Sequence, residues 1–439
     1  MRVMFLAASL SATPALAKPA PVLMVSVDGL RPGDVLQADA RGLKIPTLKK
    51  LIADGAYADG VRNALPTVTY PNHTTLITGV WPAKHGIANN PTFDPQQTNM
   101  SGWYWYSEDI KVRTLWDAVH QSGGKVASLS WPVSVGAKSI DFNLPEYWRA
   151  DNPEDLKVIR ALSTPGIVAL LEKKTGLTLA QADGESVEAD VGRAHFTGAL
   201  IAAKHPRFTT VHLRGLDHTE HTFGPGSPEA KAALETLDAA LGRMIQDARK
   251  AEPDLMVAIV SDHGFAPVEH SVNLIVPFAQ AGLVTLDAKG KVTAWQAEPW
   301  GGASAAIVLA HPNDAALKTK VSSLLNDLAS KPELGIAHIA DADEIARIGG
   351  TPMASFWVDF KPGYAMGGDP AAAAVGPASI KGTHGYFPTH PEMRATFILS
   401  GPSVTKRGSL GEVDMRDIAP TLAKIMGVAL PNADGKPLF

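Results

Sequence analysis

The sequence predicts an α/β fold, with a mainly parallel central sheet flanked by helices and small accessory insertions. Three features predict it. Short, almost continuously apolar runs have the length of strands buried on both faces. Segments with apolar residues three and four apart lie between them. The two kinds alternate along the chain, the rhythm of crossover connections between parallel strands. Residues 21–27 are the first apolar run and end at Asp28-Gly29, which delivers a carboxylate to the carboxyl end of a strand. Residues 46–55 carry Leu48, Leu51 and Ile52 at helical spacing with Gly55 as a stop, and residues 58–63 suit a short strand. After Thr69-Tyr70-Pro71-Asn72, residues 73–78 read as a helix closed by Gly79. Helix 112–123 then precedes strand 125–130, and helix 189–204 precedes strand 208–213. The long amphipathic helix 228–250 precedes strand 255–260, which ends at Ser261-Asp262-His263-Gly264. A helix over 417–426, with Gly427 after it, closes the fold.

Two stretches interrupt this rhythm. Residues 131–188 hold loops, aromatics and a helix near 165–175. In residues 284–360, a hairpin turns around Asp287-Ala288-Lys289-Gly290, residues 313–330 read as helix and 354–360 as strand. Both are expected to be accessory segments of one catalytic domain over residues 18–439.

Composition narrows the function. The 439 residues are 45% hydrophobic and 19% charged, enough to bury a large core. A net charge of −4 and the lack of a basic tract argue against a nucleic-acid-binding module. Cysteine is absent, which excludes disulfides, thiolate nucleophiles and cysteine-rich metal sites. Arg2, the apolar stretch 3–10 and Ala15-Leu16-Ala17 together read as a signal peptide over residues 1–17. That stretch is too short for a membrane span. The expectation is an exported protein with no stable membrane span, resident in a bacterial periplasm or secreted. The sequence sets no oligomeric state.

Acidic and imidazole residues gather where strands end. Asp28, Asp217, His221, Asp262, His263 and His384 offer the oxygen and nitrogen ligands that zinc and related divalent cations take. Asp217 and His221 are four apart, able to share one side of a helical turn or to converge from a loop. Asp262 and His263 are adjacent, so a shared pocket requires the chain to turn at the strand end, which Gly264 permits. These residues alone leave one metal or two open.

The segment Asn63-Ala64-Leu65-Pro66-Thr67-Val68-Thr69-Tyr70-Pro71-Asn72-His73 resembles the nucleotide pyrophosphatase/phosphodiesterase family of the alkaline phosphatase superfamily. The likeness continues through Thr78-Gly79-Val80-Trp81-Pro82, His85-Gly86-Ile87 and Asn89-Asn90. It also takes in Asp28-Gly29, Asp217 with His221, Asp262-His263-Gly264, His384-Gly385-Tyr386 and the closing helix. The resemblance implies an alkaline-phosphatase-like fold and a hydrolase with two Zn(2+) ions and a threonine nucleophile. Thr69 would be that nucleophile, with Thr67 supporting the turn. Asp28, Asp262 and His263 would hold the metal that also binds Thr69, and Asp217, His221 and His384 the other. Asn90 would support a phosphoryl oxygen. Three carboxylates and one threonine alkoxide would balance the charge of two zinc ions.

For substrate, the resemblance implies a small phosphodiester or pyrophosphate, with nucleotides first. Ser130-Trp131-Pro132-Val133-Ser134-Val135-Gly136 resembles the aromatic–Pro–Gly segment of the diesterases, without the Lys-x-Arg pair of related monoesterases. Phe93, Trp103, Trp105, Tyr147 and Tyr386 are candidate substrate contacts. Phospholipid or glycerophosphodiester cleavage is the alternative reading, then phosphomonoester cleavage. A binding protein without turnover would leave Thr69 and Asn90 with no chemical reason to accompany the ligands.

Overall fold

A computed structural model describes residues 19–99, 102–147 and 154–439; the expected signal segment, residues 1–17, lies outside them. The central sheet has eight strands in the order Gly408–Ser409, Ala56–Tyr57, Phe397–Ser400, Met256–Val260, Val22–Val27, Phe208–Leu213, Val126–Leu129, Phe142–Leu144. The five from Met256–Val260 to Phe142–Leu144 pair in parallel. Phe397–Ser400 runs antiparallel to both neighbours, so the sheet is mixed.

The apolar runs are continuous because each central strand feeds two cores. Leu23, Val25 and Val27 pack into one cluster with helices Pro46–Asp54, Val187–Lys204 and Pro228–Ala251. Val22 and Met24 pack into the other, with helices Thr69–Thr78, Leu115–Gln121 and Ile418–Met426. Alternation with a period of two thus reads as unbroken hydrophobicity when both faces are covered.

One local expectation changes and one left open is settled. The helix expected over 73–78 begins at Thr69, and the only helical glycine stop it needs is Gly79. Asp217 and His221 lie on a helix, Gly215–Phe223, rather than a loop. The start of that helix is held by Asp190, whose carboxylate accepts from Arg214 N at 3.1 Å and Gly215 N at 2.7 Å. Asp190 also pairs with Arg193, and both are buried.

The later insertion builds its own sheet. Strands Ala297–Gly301, Ala305–Leu309, Ala354–Phe360 and Ile336–Asp341 pair antiparallel in that order. Helix Ala315–Ala329 contributes Leu317, Val321, Leu325 and Leu328 to its core. The hairpin forms as strands Val284–Leu286 and Val292–Trp295, and Asp287 Oδ1 accepts from the Lys289 and Lys291 amides. An unanticipated strand, Ala266–Val272, pairs with Gly363–Met366, Val375–Pro377 and Gly382–Thr383. A turn of the four-stranded sheet reaches the site: Ala303 N donates to His384 O at 3.2 Å, and Ser304 Oγ to Gly385 O at 2.6 Å. Gly385 has φ +101, and a Cβ there would lie 2.8 Å from Ala303 N, so the close approach requires glycine.

Asp190→Ala should cost about 3 kcal/mol in urea unfolding, because it strands a buried guanidinium and two backbone amides. Asp190→Asn, which keeps an acceptor for the amides, should cost clearly less. Equal losses for the two variants would refute this account.

Candidate active site

Two groups of donor atoms converge at the carboxyl ends of the central strands. Asp217, His221 and His384 form one, and Asp28, Asp217 and His263 the other, each with ligand atoms within 4.8 Å of one another. Asp217 therefore lies between both, where the sequence placed it in one. Asp262 joins through its Oδ2, 3.1 Å from His263 Nε2. The arrangement is that of a binuclear metal site.

The three histidines are oriented alike. His263 Nδ1 donates to Gly264 O at 3.1 Å, His221 Nδ1 to Gly382 O at 3.0 Å, and His384 Nδ1 to Thr67 O at 3.1 Å. A carbonyl only accepts, so each Nδ1 carries the proton and each Nε2 presents a lone pair in the neutral ring. Those lone pairs face carboxylate oxygens: His263 Nε2 lies 3.3 Å from Asp28 Oδ1, His221 Nε2 3.4 Å from Asp217 Oδ2, and His384 Nε2 3.4 Å from Asp217 Oδ1. Acceptor facing acceptor in a buried pocket is repulsive unless a cation stands between them. Asp28 Oδ1, Asp217 Oδ1, Asp262 Oδ2 and His263 Nε2 are buried without a hydrogen-bond partner, which fits such a cation. The turn after the strand comes with a glycine, as expected, for a different reason. Gly264 is not left-handed; a Cβ would sit 2.0 Å from Glu392 O.

The protein alone strains this cluster electrostatically. Burial, with Asp262 and Asp217 alongside, pushes the Asp28 carboxyl well above its ordinary range. With no cation between them, Asp262 is pulled well below its ordinary range against its own burial by His263, and Asp262 in turn pushes the buried His263 ring up toward its protonated form. Burial beside His263 and His221 drives His384 well down, so its ring is neutral. His263 and His384 stack with centroids 3.6 Å apart, which two imidazolium ions would not tolerate.

Thr69 begins helix Thr69–Thr78 and is 9% exposed. The carbonyl of Thr67, two residues before it, is the acceptor of His384, so the threonine turn and the histidine are tied directly. The Thr67 hydroxyl donates to Tyr386 O at 2.8 Å, a turn-supporting bond. Asn90 is drawn to the same helix end: its Oδ1 accepts from Tyr70 N at 2.8 Å. The chain then doubles back. Thr92 N donates to Gly102 O and Tyr104 N to Asn90 O, which brings Trp103 edge-on to Tyr70 with centroids 5.3 Å apart. Trp105 and Tyr147 meet at 4.6 Å, both half-buried. Behind them, Trp131 is buried against His73 and Lys138 is exposed.

Tyr386 does not fit its expected place among the substrate contacts. It is 1% exposed, packs in the core of the accessory sheet, and donates its hydroxyl to Tyr364 O at 2.9 Å. Phe93 is elsewhere again, edge-on to Trp295 and Trp300 in a cavity of about 320 Å³ that Glu298 and Lys291 also line.

The sequence profile of the family described as type I phosphodiesterase / nucleotide pyrophosphatase matches residues 22–387. The chain belongs to this family. Among its relatives, the venom phosphodiesterase of Macrovipera lebetinus is 26% identical over 261 residues, covering 56% of this chain and 26% of that protein. Ectonucleotide pyrophosphatase/phosphodiesterase family member 1 of Mus musculus is 27% identical over 257 residues, covering 56% of this chain and 24% of that protein. The match thus spans about a quarter of the length of these two relatives. In fold, murine ectonucleotide pyrophosphatase / phosphodiesterase 5 superposes with a TM-score of 0.66 at 20% identity, covering 95% of this chain and 97% of that one. An inactive threonine-to-alanine variant of that murine protein, in complex with AMP, gives a TM-score of 0.66 at 19% identity, with coverage of 95% and 97%. The α/β fold is therefore alkaline-phosphatase-like, and the two donor clusters give this family member a metallohydrolase-like arrangement. No helix among the described residues is long and apolar enough to cross a membrane.

Sequence reasoning missed His73, Glu146, His212 and Glu298. None stands in a motif with metal-ligand spacing; their roles arise from contacts across the fold. Glu298 Oε2 is buried without a partner, and burial pushes the carboxyl from 4.5 up to about 8. Between those values the folded chain keeps a proton that the unfolded chain releases, so stability falls as pH rises through that window. Each pKa unit corresponds to about 1.4 kcal/mol, so even half of the shift is worth roughly 2 kcal/mol. Glu298→Gln should raise thermal stability at pH 9 and change it little at pH 4; an equal effect at both would refute a buried, uncompensated carboxyl.

Proposed function

We propose that this protein hydrolyses phosphodiester or pyrophosphate bonds in small substrates, nucleotides first, through a covalent phospho-threonine intermediate. The observation that carries this reading is the pairing of two lone-pair clusters, joined at Asp217, with Thr69 at a helix start two residues after the Thr67 carbonyl that fixes His384. Two zinc ions are the cofactor proposed: Asp28, Asp262 and His263 with Thr69 would hold one, Asp217, His221 and His384 the other, supplying a lowered hydroxyl pKa and Lewis acidity toward the phosphoryl group. A neutral nitrogen and carboxylate set without thiolates suits that ion.

The residues divide the work. Thr69 Oγ1 attacks phosphorus in line with the leaving oxygen, forming the Oγ1–P bond as the P–O bond to the leaving group breaks. With Asn90 Oδ1 taken by the Tyr70 amide, its Nδ2 hydrogens are left to donate to a non-bridging phosphoryl oxygen. The Thr69 backbone amide adds a donor at the positive end of the helix dipole, where Tyr70 N is taken by Asn90 and Pro71 has no N–H. Water then breaks the Oγ1–P bond from the opposite side, restoring Thr69. Two inversions retain configuration at phosphorus overall. The half-buried rings of Trp103 and Trp105 pack against the cluster that Tyr70 of this helix forms with Ile87 and Val133, with Tyr147 beside Trp105, and suit a stacked base or an organic head group. The relative crystallised as an inactive threonine variant with AMP supports both the nucleophile and the nucleotide preference.

The test compares p-nitrophenyl thymidine monophosphate, bis-p-nitrophenyl phosphate, p-nitrophenyl phosphate and p-nitrophenyl phosphorylcholine after chelation and zinc restoration. The thymidine diester should be turned over fastest and only with metal restored. Thr69→Ala should lower kcat by about four orders of magnitude or more, and Asn90→Ala by roughly 10²–10³. Preference for the choline ester would move the substrate to lipid head groups. Preference for the monoester would overturn the diesterase assignment, and full activity in Thr69→Ala the nucleophile.

A further inference from the structure

Asp28 divides its carboxylate between two neighbours. Oδ1 lies in the metal cluster, 3.3 Å from His263 Nε2 and without a hydrogen-bond partner. Oδ2 meets His212 Nε2 at 2.9 Å. The other nitrogen of that ring, Nδ1, meets Glu146 Oε2 at 2.9 Å, and Arg214 stands 3.7 Å from the same oxygen. All four side chains are buried. Each ring nitrogen of His212 thus meets one carboxylate oxygen, so the ring is a two-ended bridge.

The sheet makes this meeting. His212 pairs in parallel register with Ser26, so its side chain emerges on the face that Asp28, two residues on, also uses. The small Ser26 leaves room for the ring. Glu146 follows strand Phe142–Leu144 at the sheet edge, beyond Val126–Leu129, so the network reaches across four adjacent strands. His73 covers the ring at a centroid distance of 4.3 Å and is itself fixed by its Nδ1 bond to Thr69 O at 2.9 Å. A buried ionic network of this kind adds little net stability over apolar packing, so orientation explains it better than stability does.

We infer that His212, anchored by Glu146, is the positioning residue of this centre. It takes Asp28 Oδ2 and so aims Oδ1 at the cation position shared with His263 and Asp217. His221 and His384 are held by Gly382 O and Thr67 O instead of by the bridge, so the two cation positions should depend on it unequally. The inference rests on the metal-dependent reading above and assigns a role to residues outside both clusters.

The test is zinc titration of the chelated protein against a chromophoric competitor, beside thermal unfolding of the metal-free form. In His212→Phe, which keeps ring volume and loses both bonds, one zinc affinity should fall roughly 10–100-fold while the other holds. His212→Gln, able to donate once to Asp28, should recover part of the loss, and Glu146→Gln should weaken the same position less. Should His212→Phe fail to fold, Glu146→Gln is read by the same criterion. Unchanged affinities, or an equal fall at both positions that follows lost thermal stability, would overturn the inference. A wild-type protein that binds no zinc would overturn the metal-dependent reading and this inference together. Two wild-type zinc positions with unaltered variants would overturn this inference alone.

Discussion

Mutual repulsion among ligand atoms is the constraint around which this molecule is built. Three carboxylates and three imidazole lone pairs are held at 3.1–3.4 Å contacts in a pocket largely shut from water. Left free, such side chains would rotate apart or take up protons. Four of the six are instead fixed from behind by something the fold supplies. Backbone carbonyls of Gly264, Gly382 and Thr67 set the three rings, and His212 sets Asp28. The rigidity of the parallel sheet, whose central strands are buried on both faces, resists the repulsion that the site contains.

The accessory sheet contributes to that same resistance. Its turn at Gly302 to Ser304 donates to the backbone of His384 and Gly385, and Trp357 Nε1 donates to Ser304 Oγ at 2.9 Å. An insertion that looks like decoration in the sequence therefore backs a metal-facing histidine. On the other side of the pocket, Val133 takes φ +55 while packed against Tyr70 and Ile87. A β-branched residue in the left-handed region costs of order 1–3 kcal/mol, strain held next to the helix that carries Thr69. The pocket is thus surrounded by elements that are individually unfavourable and jointly fixed by packing.

The proposed nucleophile and the clustered acidic and imidazole groups come from distant parts of the chain, yet each lies at the end of an element. Asp28 ends the first strand and Asp262 and His263 follow another. Asp217 and His221 occupy one helix face, and Thr69 opens a helix. Open α/β sheets place their chemistry here because carboxyl ends of parallel strands and amino ends of helices meet along one edge. Phosphoryl chemistry benefits from that meeting, since helix amides and cations both favour negative charge.

The sequence by itself picked out the central strands near 21–27, 125–130, 208–213 and 255–260, the long helices and the six acidic and imidazole residues that the fold gathers, but not the strands Phe142–Leu144, Phe397–Ser400 and Gly408–Ser409. Apolar period and motif order are local properties that survive without coordinates. It also picked out Thr69 and Asn90, which the fold brings to one helix end. Tertiary structure decided the rest. Tyr386 lies two residues after His384 but turns into the accessory core, because Gly385 lets the backbone reverse between them. Asp217 stands between two clusters, a matter of distance that spacing in sequence does not encode. The Glu146–His212–Asp28 bridge joins residues from separate strands, so no pattern announces it. Only strand order and register bring those side chains together, and both are set by long-range packing.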